Sequence, residues 1–262
     1  MGHKLGQVFL KDKNMIHKLV YCAEIQPDDI VVEIGCGDGL FSEVLASKCK
    51  KLYIIEIDVE MLHRTQARLW ACSNITYIHC DVLDGAFSEI PESQVRVIAN
   101  IPYYITTKII KLLIENRDKI TSSVLMVQKE YAKRLLAKPT STWYGSLTLY
   151  VQYHLSVQWL SHVPKTCFRP IPEVDSSLIR LSPTPPPFTV DEDLFFKMVK
   201  SAFWGRRKTL INCLLKSPYL TLSPDCKQVP FFENRTALRG ETLSLAEFYT
   251  LYVQLQPFWI SS

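Results

Sequence analysis

Between residue 30 and about residue 128, apolar runs of strand length alternate with amphipathic stretches of helix length, the pattern of repeated βαβ units around a parallel sheet. The runs predict strands over Ile30 to Ile34, Leu52 to Ile57, Ile75 to Cys80, Val95 to Ala99 and Ser123 to Val127. Apolar positions three and four apart predict helices over Asn14 to Ala23, Leu40 to Ser47, Val59 to Leu69 and Thr106 to Asn116. The segment "LTLYVQYHLSVQWL" (147 to 160) is rich in β-branched and aromatic residues and predicts one long antiparallel strand, with Ser177 to Leu181 as another. "SPTPPPF" (182 to 188) can be neither helix nor central strand and predicts a boundary between an α/β, Rossmann-like domain over 1–183 and a small helical domain over 184–262. In that second part, Asp191 and Asp193 suit a helix start, and a last helix is expected from about Ser244 to Leu255.

Composition narrows the class. With 262 residues, 47% of them hydrophobic, the chain can bury a substantial core. No apolar run reaches the roughly 20 residues of a membrane helix, and "MGHKLGQVFLKDKN" carries charges where a signal peptide has its apolar core, so a cytoplasmic protein with no membrane association is expected. The eight cysteines have no C-x-x-C pair and no nearby histidine partner, so reduced, mostly buried thiols and no metal are expected. A formal charge of +4 permits a polyanionic partner without requiring one. "QKEYAKRLLAK" (128 to 138) and "WGRRKTL" (204 to 210) concentrate positive charge, and each reads equally well as a solvated helix face.

Candidate chemistry begins at "VVEIGCGDGLF" (31 to 41), directly after the first expected strand. Glycines at 35, 37 and 39 let the backbone turn sharply and approach a ligand. The spacing is not the G-x-G-x-x-G of a dinucleotide site, and Glu33 stands two residues ahead of Gly35. A carboxylate there suits a ligand with positive charge, such as the sulfonium and amino groups of S-adenosylmethionine, better than a pyrophosphate. Glu56 ends the second strand about 20 residues on, where a carboxylate accepts ribose hydroxyls. Asp58 can hold the following loop, while Asp81, at the end of the third strand, is either an acceptor for an adenine amino group or a helix cap.

The fourth strand ends in "NIPYY" (100 to 104). An exocyclic adenine amine is a poor nucleophile because its lone pair is delocalised into the ring. Two acceptors on its N–H bonds can draw the pair out of conjugation, and the Asn100 side-chain carbonyl and the Ile101 main-chain carbonyl, held extended ahead of Pro102, are the candidates. Tyr103 can stack on the base. By itself the motif is also a strand-ending turn with packed tyrosines, and Tyr104 reads as packing.

Together these segments resemble the ribosomal RNA adenine dimethyltransferases of the KsgA and Erm type over nearly the whole chain. "GQVFL" (6 to 10), "VVEIGCGDG", "NIPYY", "MVQKEYAKRL" (126 to 135), "YGSLTLYVQY" (144 to 153) and "CFRPIPEVDSSLIRL" (167 to 181) are the matching blocks. The resemblance implies a class I S-adenosylmethionine-dependent methyltransferase fold. It implies cofactor contacts from Gln7, Leu10, Glu33, Gly35, Gly37, Glu56, Asp81 and Asn100, and places Phe168 on the face of the target base opposite Tyr103. Val8 stands where the family usually has asparagine, which removes a side-chain hydrogen bond.

"AFWGRRKTLIN" (202 to 212) and "LRGETLSLAEF" (238 to 248) resemble the small-subunit enzymes more than the macrolide-resistance enzymes, and imply that Arg206, Arg207 and Lys208 meet rRNA phosphates. The implied reaction is double methylation of two adjacent adenosines near the 3′ end of small-subunit (16S) rRNA within an assembling ribosomal subunit, by a monomer. The competing expectations are a large-subunit methylase conferring macrolide resistance, an assembly or transcription factor without turnover, and a DNA adenine methylase.

Overall fold

The computed structural model describes residues 9–205, 207–235 and 237–260. Gln7, Val8 and Arg206, singled out above, lie outside the described residues. In chain order the elements are β1 (Phe9–Leu10), α1 (Lys13–Ala23), β2 (Ile30–Ile34), α2 (Leu40–Ala46), β3 (Lys51–Glu56), α3 (Val59–Arg68), β4 (Ile75–His79), β5 (Val95–Asn100), α4 (Thr106–Glu115), β6 (Ile120–Gln128) and α5 (Lys129–Leu135). They continue as α6 (Ser146–His154), β7 (Leu155–Val163), β8 (Phe168–Arg169), β9 (Ser176–Pro183), α7 (Glu192–Ala202), α8 (Leu210–Lys216) and α9 (Leu245–Leu255).

The chain forms two compact units, one running to Ala132 and resuming over Leu155–Pro183, the other taking Lys133–His154 together with the chain from Thr184. In the first unit a seven-stranded sheet has the order β4-β3-β2-β5-β6-β9-β7. Strands β2 to β6 pair in parallel, and β9 and β7 are antiparallel additions. Because the inner strands are covered on both faces, they read as unbroken apolar runs: Val31, Val32, Leu52, Ile54, Val97 and Ile98 are all buried.

From β2 the chain steps outward to β3 and β4, then returns to lay β5 on the other side of β2. That reversal opens a crevice beyond the carboxyl ends of β2 and β5, the place where open α/β sheets bind ligands. The glycine turn leaves β2 at this point, and "NIPYY" leaves β5 beside it.

Local chemistry fixes the helix starts. Asp12 caps α1 by accepting from the Met15 N–H, and Asp58 caps α3 by accepting from the Glu60 and Met61 N–H groups. At α9, Ser244 and Glu247 form a reciprocal capping box.

One expectation is overturned within the second unit. The strand expected over 147 to 160 is helix α6 up to His154, and only then β7. Thr148, Leu149, Val151, Tyr153 and His154 are all buried there, so packing overrides the β-propensity of the sequence. Side chains anchor the helix to its surroundings: Gln152 donates to the Leu135 carbonyl at 2.9 Å, Thr148 to the Arg134 carbonyl at 2.8 Å, and Tyr153 to the Phe188 carbonyl at 2.9 Å. Segment 133–154, which the sequence reading assigned to the first domain, thus packs with the second unit.

No helix among the described residues is long and apolar enough to cross a membrane. All eight cysteines are free thiols; Cys72 is exposed, Cys22 and Cys80 are half-buried, and the rest are buried.

Candidate active site

A cavity of about 560 Å³ lies in the first unit at the carboxyl edge of the sheet. One wall is built from Gly35 and Gly37 after β2, Glu56 and Ile57 after β3, and Asp81 and Val82 after β4. The other wall is Asn100 at the end of β5 and Ile101, Pro102, Tyr103 and Tyr104 after it, with Lys108 and Gln128. Phe9 and the 172–174 segment complete the lining.

The glycine turn needs its glycines. Gly35 and Gly37 have φ of +79° and +56°, in the left-handed region that β-carbons disfavour. A Cβ on Gly37 would sit 3.1 Å from the Phe9 ring, whereas one on Gly35 would project into open space. The Gly35 N–H donates to the Ile55 carbonyl at 2.9 Å, which fixes the turn against β3.

The two lining carboxylates are positioned by the backbone. Glu56 accepts from the Asp58 N–H at 3.0 Å through Oε1 and from the Gly37 N–H at 3.4 Å through Oε2. Each oxygen keeps a lone pair, and the group reaches the cavity although the residue is only 6% exposed. Asp81 accepts from the Leu83 N–H at 2.9 Å, so it caps the short helical turn after β4 and also lines the cavity. The two sequence readings of Asp81 are compatible, because a carboxylate has more acceptor sites than one cap uses.

The opposite wall is less committed. Among the described residues, neither the Asn100 side chain nor the Ile101 carbonyl has a hydrogen-bond partner. Tyr103 is anchored instead, with its hydroxyl 2.7 Å from Ser176 Oγ at the start of β9. Burial pushes the Tyr103 phenol above its ordinary pKa, partly offset by that hydrogen bond, so the hydroxyl stays protonated.

Three expected site residues are not brought to the cavity. Glu33 is 1% exposed, and neither carboxylate oxygen has a hydrogen-bond partner among the described residues. It shares a face of the sheet with Ile54 and Ile98, which lie level with it on β3 and β5 and belong to the core. Burial raises its pKa to about 8, the nearby Ser42 hydroxyl opposes the shift, and the Glu56 charge adds to it. Leu10 and Phe168 are likewise in the core, 7% and 0% exposed, because they are paired in register between β1 and β8. Strand alternation sends their neighbours the other way: Phe9 lines the cavity, and Arg169 is exposed. An ion pair between Lys11 and Asp38 ties the end of the β1 segment to the glycine turn.

Sequence reasoning missed several lining residues. Ile57 and Val82 each follow a lining acid by one residue, and Gln128 ends β6, so extending the strand-end rule to a fifth strand and one further position would have found them. Phe9 carried a weaker signal, its place next to Leu10 in the "GQVFL" block. The 172–174 segment carried a comparably weak one, its place in the "CFRPIPEVDSSLIRL" block, and Lys108 carried none. Of the expected basic contacts in the second unit, Arg207 is exposed and Lys208 lies over the Trp204 ring at 4.0 Å. No group of three or more His, Cys, Asp or Glu able to hold a metal ion occurs among the described residues.

Comparison with known proteins identifies the lineage. Residues 2–223 match the family model described as ribosomal RNA adenine dimethylase. The chain is 39% identical to "Ribosomal RNA small subunit methyltransferase A" of Anoxybacillus flavithermus, over 97% of this chain and 90% of that one. It is 41% identical to the protein of that name from Geobacillus thermodenitrificans, over 97% and 91%. Among solved structures, a dimethyladenosine transferase from Plasmodium falciparum superposes with a TM-score of 0.81 at 27% identity, covering 95% of this chain and 98% of that one. The 23S rRNA methyltransferase ErmE, at TM-score 0.71 and 24% identity over 94% of this chain and 99% of that one, shares the fold. The fold is thus the class I S-adenosylmethionine-dependent methyltransferase fold, and the chain belongs to the ribosomal RNA adenine dimethylase family.

Proposed function

We propose that this protein transfers methyl groups from S-adenosylmethionine to the exocyclic amines of two adjacent adenosines near the 3′ end of small-subunit rRNA, twice on each. The observation that carries the reading is the convergence of the glycine turn, Glu56 and Asp81 on one wall of a single cavity with Asn100 to Tyr103 on the other. Relatives at about 40% identity over nearly the whole chain, named as small-subunit rRNA methyltransferases, support the choice of substrate.

The residues fit the cofactor. Gly35 leaves open space where a side chain would stand, and the glycine turn admits close approach of the backbone. Glu56 offers its remaining lone pairs to vicinal hydroxyls, and Asp81 offers its free acceptor capacity to an adenine amine. Ile57 and Val82 provide apolar surface for a purine. Bound there, the cofactor supplies an electrophilic methyl group on a sulfonium. Glu33 acts on none of this directly and supports the turn from beneath.

On the other wall, the Asn100 side-chain carbonyl and the Ile101 carbonyl accept the two N–H bonds of the target amine and localise its lone pair, while Tyr103 stacks on the base. No general base is required, since a methylated amine still bearing its proton is acidic enough to release it to water. Positioning and fixed acceptors account for the rate. Phe168 is buried and does not line the cavity, so in this reading Tyr103 is the principal stacking surface. Arg207 and Lys208, with Arg206, orient rRNA through its phosphates within an assembling subunit. The protein works as a monomer in the cytoplasm and needs no metal.

The test is methyl transfer from labelled S-adenosylmethionine to small subunits isolated from cells lacking the modification, with mass spectrometry of the rRNA. Dimethyladenosine at two adjacent positions near the 3′ end is expected. Label in large-subunit rRNA or in duplex DNA, or none at all, would overturn the reading.

A further inference from the structure

Stacking fixes the plane of a base and leaves it free to rotate within that plane. The two acceptors from Asn100 and Ile101 both act at one substituent, the amine, so they restrain in-plane rotation only through a short lever arm, and least as the amine leaves conjugation. A further hydrogen bond to another atom of the base edge tightens the alignment of the amine with a methyl donor, where a small angular error at the reacting atom costs much of the rate.

Gln128 stands where that bond has to come from. It is the last residue of β6, and strand register puts Met126, two residues earlier on the same face, level with Asn100 at the end of β5. On its other side, Gln128 is level with Ser176 of β9, whose hydroxyl holds the Tyr103 phenol at 2.7 Å. Gln128 therefore lies in one row of the sheet with the group that anchors the stacking ring, on the face shared with Asn100. It lines the cavity, and among the described residues its side-chain amide has no hydrogen-bond partner. A half-buried carboxamide at a cavity wall without a protein partner is free to pair with a ligand that enters.

Resting on the function proposed above, we propose that the Gln128 carboxamide donates a hydrogen bond to a ring nitrogen flanking the target amine, N1 or N7, and so fixes the rotation of the adenine against Tyr103. Both ring nitrogens are acceptors and the carboxamide N–H₂ is a donor, so the pairing is chemically matched.

The test uses small subunits reconstituted with rRNA carrying 1-deazaadenosine or 7-deazaadenosine at the acceptor positions, each lacking one of the two nitrogens. Wild-type protein is expected to lose roughly tenfold in kcat/KM on one analogue and little on the other, the size of one hydrogen bond to an oriented base. Gln128→Leu should show about the same loss on unmodified subunits, no further loss on the sensitive analogue, and unchanged S-adenosylmethionine affinity. If the losses from variant and analogue multiply, or if Gln128→Leu methylates at the wild-type rate, the role of Gln128 falls. Wild-type protein indifferent to both analogues overturns it without any variant. Wild-type protein inactive on unmodified subunits would sink the enzyme reading itself, and this inference with it.

Discussion

The two walls of the cavity are built on opposite principles. On the glycine-turn wall the polar groups are already engaged: Glu56 is held by two backbone N–H groups, Asp81 by one, and the turn by the Ile55 carbonyl. On the Asn100 wall the acceptors and the Gln128 amide have no protein partner among the described residues, whereas the Tyr103 ring is tied down. Pre-engaged acids hold their geometry whether or not a ligand is bound, which suits a cofactor that must be gripped in one pose every turnover. In the function proposed above, unengaged groups pair only when a base arrives, which directs their binding energy to the reacting amine.

The comparison is broken most decisively at Asn100. Asn100→Ala is expected to cut turnover by roughly 10²–10³ and to leave S-adenosylmethionine affinity largely intact, since one preorganised acceptor for the amine is lost while the facing wall is untouched. Single-turnover methylation beside calorimetric titration of the cofactor separates the two effects. A large loss of cofactor affinity would show that the walls are not independent.

Glu56→Ala makes the reciprocal cut. It removes a charged acceptor and releases the Gly37 and Asp58 N–H groups, so cofactor affinity should fall by about 10- to 100-fold. Single-turnover rates at saturating cofactor should change much less. Equal losses in affinity and rate would assign Glu56 to the chemistry and not to the grip.

Much of this division is legible in the sequence, for a definite reason. The apolar runs from β2 to β6 are strands buried on both faces, so periodicity and length mark them; chain direction then puts every strand end at one edge, and the residue types there state their chemistry. Asn100, Glu56 and Asp81 are all found in this way. What fails is anything that depends on facing within a short pairing. Leu10 and Phe168 sit in two-residue strands, where a shift of one position exchanges cavity for core, and nothing in the sequence fixes that choice. Segment 147–154 fails because its composition favours a strand while burial on several sides selects a helix. Glu33 fails because an acid in an apolar strand advertises a ligand, and its side chain points the other way.

Glu33 sharpens the comparison from outside, as a buried carboxyl group near the Ser42 hydroxyl and the Glu56 charge. Its pKa is about 8 in the folded protein against an ordinary 4.5. Between those values the folded state keeps a proton that the unfolded chain has released, so the contribution to stability is fully present below about pH 4.5 and is lost as pH rises through 8. Glu33→Gln should flatten this slope, leaving the variant more stable relative to wild type at pH 8 than at pH 5 by about 3 kcal/mol. Urea titrations at the two pH values measure it. A parallel pH dependence in both proteins would mean that the Glu33 carboxyl is ionised in place.

The smallest expected effect lies at the one fixed point of the open wall. Tyr103→Phe keeps the ring and removes the 2.7 Å contact with Ser176, a buried residue whose hydroxyl must then turn to another acceptor, so a small loss of stability accompanies the change. Stacking depends on the ring face, so kcat should change little. Without its anchor the ring samples more orientations before the base arrives, and ordering it again costs part of one hydrogen bond, roughly threefold in KM for the rRNA substrate. Because the phenol stays protonated, the pH profile of kcat should be the same in both proteins. A change confined to kcat, or an altered pH profile, would mean that the hydroxyl takes part in methyl transfer, and the open wall would then hold a third polar group aimed at the amine.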